Sequence, residues 1–297
     1  MKKLIKRAIK HYKYEEIVND DLCNSEFNRR YQNFTDKDTL KNYTSTIYTI
    51  LNSIPSCTHI KAKNLLFQGN EDCWKYFERT AVFWTYGHIN DKWIDHLKGA
   101  YEYALYIERE DLIQQLFEKS LSYLMDKKNL FNKDFKKQNV YPSTQLIHFL
   151  LEKWIGNNPV KDLILTYGNG YGIYQKIIDN WEDFSKIKDD YWNELCEYHL
   201  NHMGLQSGEK WENEEFLYSG LIPMELINLI KVRKKLELDM PVIENVLFDT
   251  NMAKTPVIPT GYNENLDLIF KLVDLTVKTK KKQSINEMCM SCPHCGH

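Results

Sequence analysis

The chain has 297 residues, 43% of them hydrophobic and 27% charged, which is ordinary for a folded globular protein. A formal net charge of −2 excludes a global field that would draw the chain to nucleic acid. Scarce Gly (12) and Pro (8) favour long helices over a turn-rich β fold, and no run of roughly 18 apolar residues marks a membrane span.

The opening MKKLIKRAIKHYKYEE is basic, but no continuous apolar run follows it, so it does not read as a secretory signal. Residues 2–18 form an amphipathic helix with Leu4, Ile5, Ala8, Ile9 and Tyr12 on one face. Such a helix can lie on a membrane or on nucleic acid. Its narrow face lacks a Trp or Phe anchor, which favours a plain first helix with a solvated back. Helical spacing recurs over residues 35–54, closed by Pro55, and over 59–67, 71–86, 91–108 and 111–125. The third of these carries Trp74, Phe77, Ala81 and Trp84 on one stripe. Short polar links join them, so neighbours should be antiparallel.

Residues 127–140 are basic and polar and mark the best boundary; Pro142 opens a new helix. We therefore divide the chain into an N-terminal helical half (1–135), a C-terminal helical half (136–280) and a flexible Cys/His tail (281–297). Helices are expected at 143–155, 159–167, 171–181, 191–204, 223–236 and 263–280. In the 223–236 helix, Leu226, Ile227, Ile230 and Leu236 should be buried, and the basic turn of Lys231, Arg233, Lys234 and Lys235 suits a helix C-terminus. Only 241–248 and 257–258 look extended. The expected fold is all-α, an antiparallel helical bundle or an α-solenoid-like array of helix pairs, without a fixed repeat.

Candidate chemistry is sparse. Gly168, Gly170 and Gly172 precede a helix, but no Lys-Ser/Thr follows and the dinucleotide spacing is wrong, so a helix–helix turn is the better reading. His199 and His202 lie three apart near Glu194 and Glu197, and His88 and His96 flank Trp93, without a third ligand in sequence. Glu108, Glu110 and Asp111, like Asp189 and Asp190, sit at helix ends, where capping and the dipole favour carboxylates. No G-x-S-x-G occurs. A metal-dependent hydrolase built from these histidines and acids stays open as one alternative.

Seven cysteines are an odd count: Cys23, Cys57, Cys73 and Cys196 are scattered and three crowd the end. This is no disulfide framework, and a reducing cytoplasm is the simplest expectation. In C-M-S-C-P-H-C-G-H, Cys289, Cys292, Cys295 and His297 offer zinc four ligands, although nine residues leave little chain to wrap an ion. A metal-sticky tail is the equal alternative, and the fold requires no cofactor.

Residues 191–252 carry a resemblance. His199, Trp211, Gly220-Leu221-Ile222-Pro223, Arg233, Leu236 and Val242-Ile243-Glu244 match positions in the C-terminal part of the Imm49-type immunity proteins of bacterial polymorphic toxin systems. The aromatic stretch from Trp74 to Trp84 fits the middle of that family less clearly. The chain departs from it in Leu236-Glu237-Leu238, where members often carry a glycine, and in its cysteine tail. The resemblance implies a cytoplasmic antidote, not an enzyme, that neutralises a cognate toxin, commonly a nuclease, by stoichiometric binding. Nuclease surfaces are basic, so acidic contacts are expected from Glu209, Glu212, Glu214 and Glu215, with Asp189 and Asp190 close by in sequence. A helical adaptor that binds a peptide or protein is the alternative.

The tail yields a first test. Truncation after Lys280 is expected to abolish zinc uptake and leave the melting temperature unchanged, as metal content and thermal melts of the two forms would show. Loss of the cooperative melt would instead put the tail in the core.

Overall fold

A computed structural model describes residues 58–88, 94–124, 140–156, 170–203, 215–216 and 219–256. The expected helices at 2–18, 35–54, 159–167 and 263–280 lie outside these residues, as does nearly all of the 127–140 boundary.

The fold is all-α, with no strand among the described residues. Helix α1 covers residues 58–67, followed by α2 (Cys73–His88), α3 (Ile94–Tyr106), α4 (Glu110–Leu124) and α5 (Pro142–Ile155). A 3-10 turn (Gly172–Tyr174) runs into the short α6 (Gln175–Asp179). After a second 3-10 turn (Phe184–Lys186) come α7 (Asp189–Asn201), α8 (Met224–Lys235) and a last 3-10 turn (Asn251–Ala253). None of the described helices is long and apolar enough to cross a membrane.

Helix α3 is the hub. It packs on α2, α4, α5 and α8, and every residue from Leu97 to Ile107 is buried. Small residues at Gly99, Ala100 and Ala104 let neighbours approach; the Trp84 ring lies 3.5 Å from where a Cβ of Gly99 would stand. The α2 stripe of Trp74, Phe77, Ala81 and Trp84 is buried as its period requires. Its rings meet α3 edge-on, Trp84 with Tyr103 at 4.6 Å and Phe77 with Tyr106 at 5.2 Å, the favoured aromatic geometry. Helices α5 and α8 pack on α3 and on each other, so helices from both halves of the sequence share one core.

Helix ends explain the turns. Helix α5 stops at Gly156 (φ 94), whose N–H donates to the Glu152 carbonyl. Helices α3 and α8 end in the same left-handed manner but on Glu108 (φ 55) and Glu237 (φ 57). Arg109 N–H reaches Ala104 O, and Leu238 N–H reaches Arg233 O, closing both ends as Schellman motifs. A non-glycine residue there costs on the order of 1 kcal/mol, so surrounding contacts must hold these turns.

Four expectations differ from the structure. Ile230 is only partly buried, at a cleft beside α8. Leu236 is 39% exposed, because α8 ends at Lys235 and the chain turns away from the core at that point. The helix expected at 171–181 breaks into the 3-10 turn and α6, since Gly172 takes φ +52. Residues 241–245 are irregular and 246–249 form a turn in place of a continuous extended segment, with the Asn245 side chain accepting from Leu247 N–H.

Gly172 abuts the start of α5: a Cβ on it would stand 2.8 Å from Pro142 Cγ. Gly172→Ala would add this clash to a left-handed backbone, and a loss on the order of 1–3 kcal/mol is expected. Urea unfolding measures it; an unchanged midpoint would mean that the turn is not seated on α5.

Candidate functional site

Lys98 and Glu102 are one helical turn apart on α3, so they share a face, and that face points into the core. Lys98 Nζ donates to the Glu215 carbonyl at 2.6 Å, lies 3.5 Å from the Glu102 carboxylate and sits 4.9 Å over the Phe216 ring. Burial raises the Glu102 pKa to about 7; Lys98 opposes that shift and Glu225 adds to it.

His199, near the end of α7, completes the cluster with Glu225 of α8. Its Nε2 lies 2.6 Å from the Gly220 carbonyl, which can only accept, so Nε2 carries a hydrogen. Its Nδ1 lies 2.9 Å from Glu225 Oε1. One further proton is therefore held between this ring and this carboxyl. Tyr174, fully buried, faces Glu225, Glu215, Tyr198 and Glu102, and burial with these acids holds its hydroxyl well above the usual tyrosine range.

Glu215 belongs to the same interior. Its Oε1 accepts the Ser143 N–H at 2.7 Å, and its Oε2 accepts the Tyr198 hydroxyl at 2.5 Å. Tyr141, the residue before α5, makes no side-chain cap, so the carboxylate of Glu215 caps that helix from 72 residues away. His199, Glu225, Glu102, Lys98 and Glu215 are all between 0% and 5% exposed. In this conformation a substrate cannot touch them. What the cluster does is tie α3, α5, α7 and α8 together through buried, charge-assisted bonds.

The expected contact residues thus part company. Glu215 is buried, and its carboxylate is committed to Ser143 and Tyr198. Asp189 and Asp190 are exposed on the first turn of α7. Glu209, Glu212 and Glu214 lie outside the described residues, as do Cys289, Cys292, Cys295 and His297. No group of three or more His, Cys, Asp or Glu side chains that could hold a metal occurs among the described residues. Cys73 and Cys196 are buried, and burial pushes both thiols up to about 12.

The basic end of α8 does more than complement a dipole. Lys231 donates to the Tyr106 carbonyl (2.6 Å) and pairs with Glu108 (2.7 Å), holding the α3–α4 turn. Lys235 pairs with Glu110, which also accepts Trp154 Nε1–H at 2.8 Å. Arg233, wholly buried, lies 3.5 Å over the Phe184 ring and donates to the carbonyls of Trp181 and Asp239. Beside this end opens a cleft of about 460 Å³, floored by Ile227, Ile230 and Phe248 and rimmed by Glu108, Lys234 and Met240. The segment past it, residues 236–244, exposes Leu236, Met240 and Val242, the last by 77%. Sequence reading used this segment for the resemblance but did not read it as an exposed surface, although the alternation of apolar and acidic residues in L-E-L-D-M-P-V was the signal.

Glu102 binds a proton more tightly in the folded chain than at its ordinary value of 4.5. Its contribution to stability is full below about 4.5 and is lost as the pH rises towards about 7. Urea midpoints across that window should fall more steeply for the wild type than for Glu102→Gln, in which the titration is removed. Parallel profiles would show that Glu102 does not titrate there.

No family model, no curated protein and no solved structure matches this chain.

Proposed function

We propose that this protein is an immunity protein that binds a cognate bacterial toxin domain, a nuclease, and neutralises it by stoichiometric contact. The reading rests on the resemblance in residues 191–252. The observation that carries it is the coherence of the residues behind that resemblance. His199 bonds to the carbonyl of Gly220, the first residue of the Gly-Leu-Ile-Pro match, and to Glu225 just beyond it. Leu221 and Ile222, just before α8, are buried. Arg233 anchors the carbonyl of Asp239, which fixes the course of the chain towards Val242-Ile243-Glu244. One of these bonds, His199 to Gly220, joins two matched positions 21 residues apart, and the others tie matched residues to their neighbours in one frame that ends at the surface; Trp211 lies outside the described residues.

In this reading the partner meets the acidic surface, to which Asp189 and Asp190 contribute, while Glu215 serves the frame. Complementary charge would speed the encounter with a basic nuclease. The experiment is co-expression with the toxin domain encoded by the adjacent gene. Cells are expected to survive only when this chain is present, and the two proteins should co-purify at equal stoichiometry. Cell death at the same rate with and without it would refute the reading, and an adjacent operon of signalling genes would turn it towards a helical adaptor.

A further inference from the structure

We infer that residues 236–244 form the ledge on which the partner docks, and that the partner presents basic side chains around an apolar hollow. This rests on the immunity reading and names the surface it leaves open. In the run Leu-Glu-Leu-Asp-Met-Pro-Val-Ile-Glu, the large side chains of Leu236, Met240 and Val242 are exposed by 39%, 49% and 77%. They are the only exposed large hydrophobics among the described residues. Glu237 and Asp239 are exposed between them and Glu244 follows, while of the exposed lysines just before the ledge, Lys234 and Lys235, the second is paired with Glu110. An apolar centre with a charged surround is the anatomy of a binding hot spot.

The ledge is held in place from below. Leu238 N–H bonds to Arg233 O, and the Arg233 guanidinium donates to Asp239 O at 2.6 Å. At its far end Asn245 donates to Asn193 of α7 at 2.5 Å. Leu238 and Ile243 pack against the core between the exposed residues. A segment fixed in this way loses little freedom on binding. The Asn193 contact also sets the acidic field. Asp189 and Asp190 precede Asn193 by four and three residues, so they lie on its side of α7 and add two exposed carboxylates there, next to the exposed Lys188. That charge selects a basic protein surface over an acidic or neutral one.

The test uses the full chain and the same adjacent-gene toxin domain as probe. Met240→Asp and Val242→Asp should each weaken binding about tenfold or more, since both bury a charge at the centre of the contact. Glu237→Lys with Glu244→Lys should slow association and flatten its dependence on salt. All variants should keep the wild-type melting temperature, and Glu118→Lys on the exposed side of α4 should bind as the wild type does. Ledge variants that bind unchanged would overturn this surface while leaving the immunity reading intact. A wild-type chain that fails to bind the domain overturns both. Light scattering that shows a wild-type dimer abolished by Val242→Asp would assign the ledge to a second copy of the chain and would also overturn the proposal.

Discussion

Helix α3 is covered on every side, and it carries a cation and a carboxylate into that enclosure. An isolated charge in a dry interior is prohibitively costly, so Lys98 and Glu102 can be buried only with partners. For Lys98 one comes from far along the chain, the Glu215 backbone carbonyl; for Glu102 it is Lys98 itself, one turn away at 3.5 Å, and burial shifts the carboxyl towards its neutral form, while Asn228 of α8 bonds to the Glu102 backbone carbonyl and ties the two helices. Close packing accepts many apolar substitutes, whereas a network of directional bonds accepts few arrangements. The polar cluster therefore selects one register for α3, α5, α7 and α8 out of those that hydrophobic burial alone would permit.

The same logic operates at the end of α8. Three basic residues of one helical turn and a half diverge to three structural units: Lys231 to the α3–α4 turn, Arg233 to the Trp181–Phe184 aromatic cluster, and Lys235 to Glu110 at the start of α4. Lys235 also lies 3.9 Å over the Trp154 ring, and Phe149 meets Trp181 edge-on at 4.9 Å. Guanidinium and ammonium groups stacked on aromatic faces gain cation–π attraction while they fill space. Among the described residues, Tyr and Trp thus serve mainly to pack and orient the interior. Tyr106 shows this twice over: its ring packs against Phe77, and its hydroxyl donates to the Lys254 carbonyl, pinning the last described stretch of chain.

Interior and surface divide the work. The titratable groups that would attract a catalytic reading, His199 with Glu225 and Glu102 with Lys98, are spent on holding helices together. The groups left facing solvent beside α8 are short acidic and apolar side chains on a braced segment. Bracing and exposure are opposite demands on one stretch of chain. The segment 236–244 meets both because the Asp239 carbonyl, the Leu238 N–H and the side chains of Leu238 and Ile243 are anchored while Leu236, Met240 and Val242 face solvent.

The sequence by itself determined the helices. The apolar period of three to four residues in α2, α3, α4, α5 and α8, Pro142 at the head of α5 and the buried stripe of Trp74, Phe77, Ala81 and Trp84 are all set by residues within a few turns of one another. Tertiary structure decided what each charged residue is for. Glu215 reads as one more member of an acidic link until the fold brings it to the N-terminus of α5, 72 positions away. Nothing in the order of residues marks Lys98 as buried; the Glu215 carbonyl that takes its ammonium is 117 positions away. Leu236 reads as core until α8 ends one residue before it. Periodicity is a property of a segment, whereas burial and hydrogen-bond partnership belong to pairs of segments. For that reason the helices could be read from order alone, but the buried cluster and the exposed ledge could not.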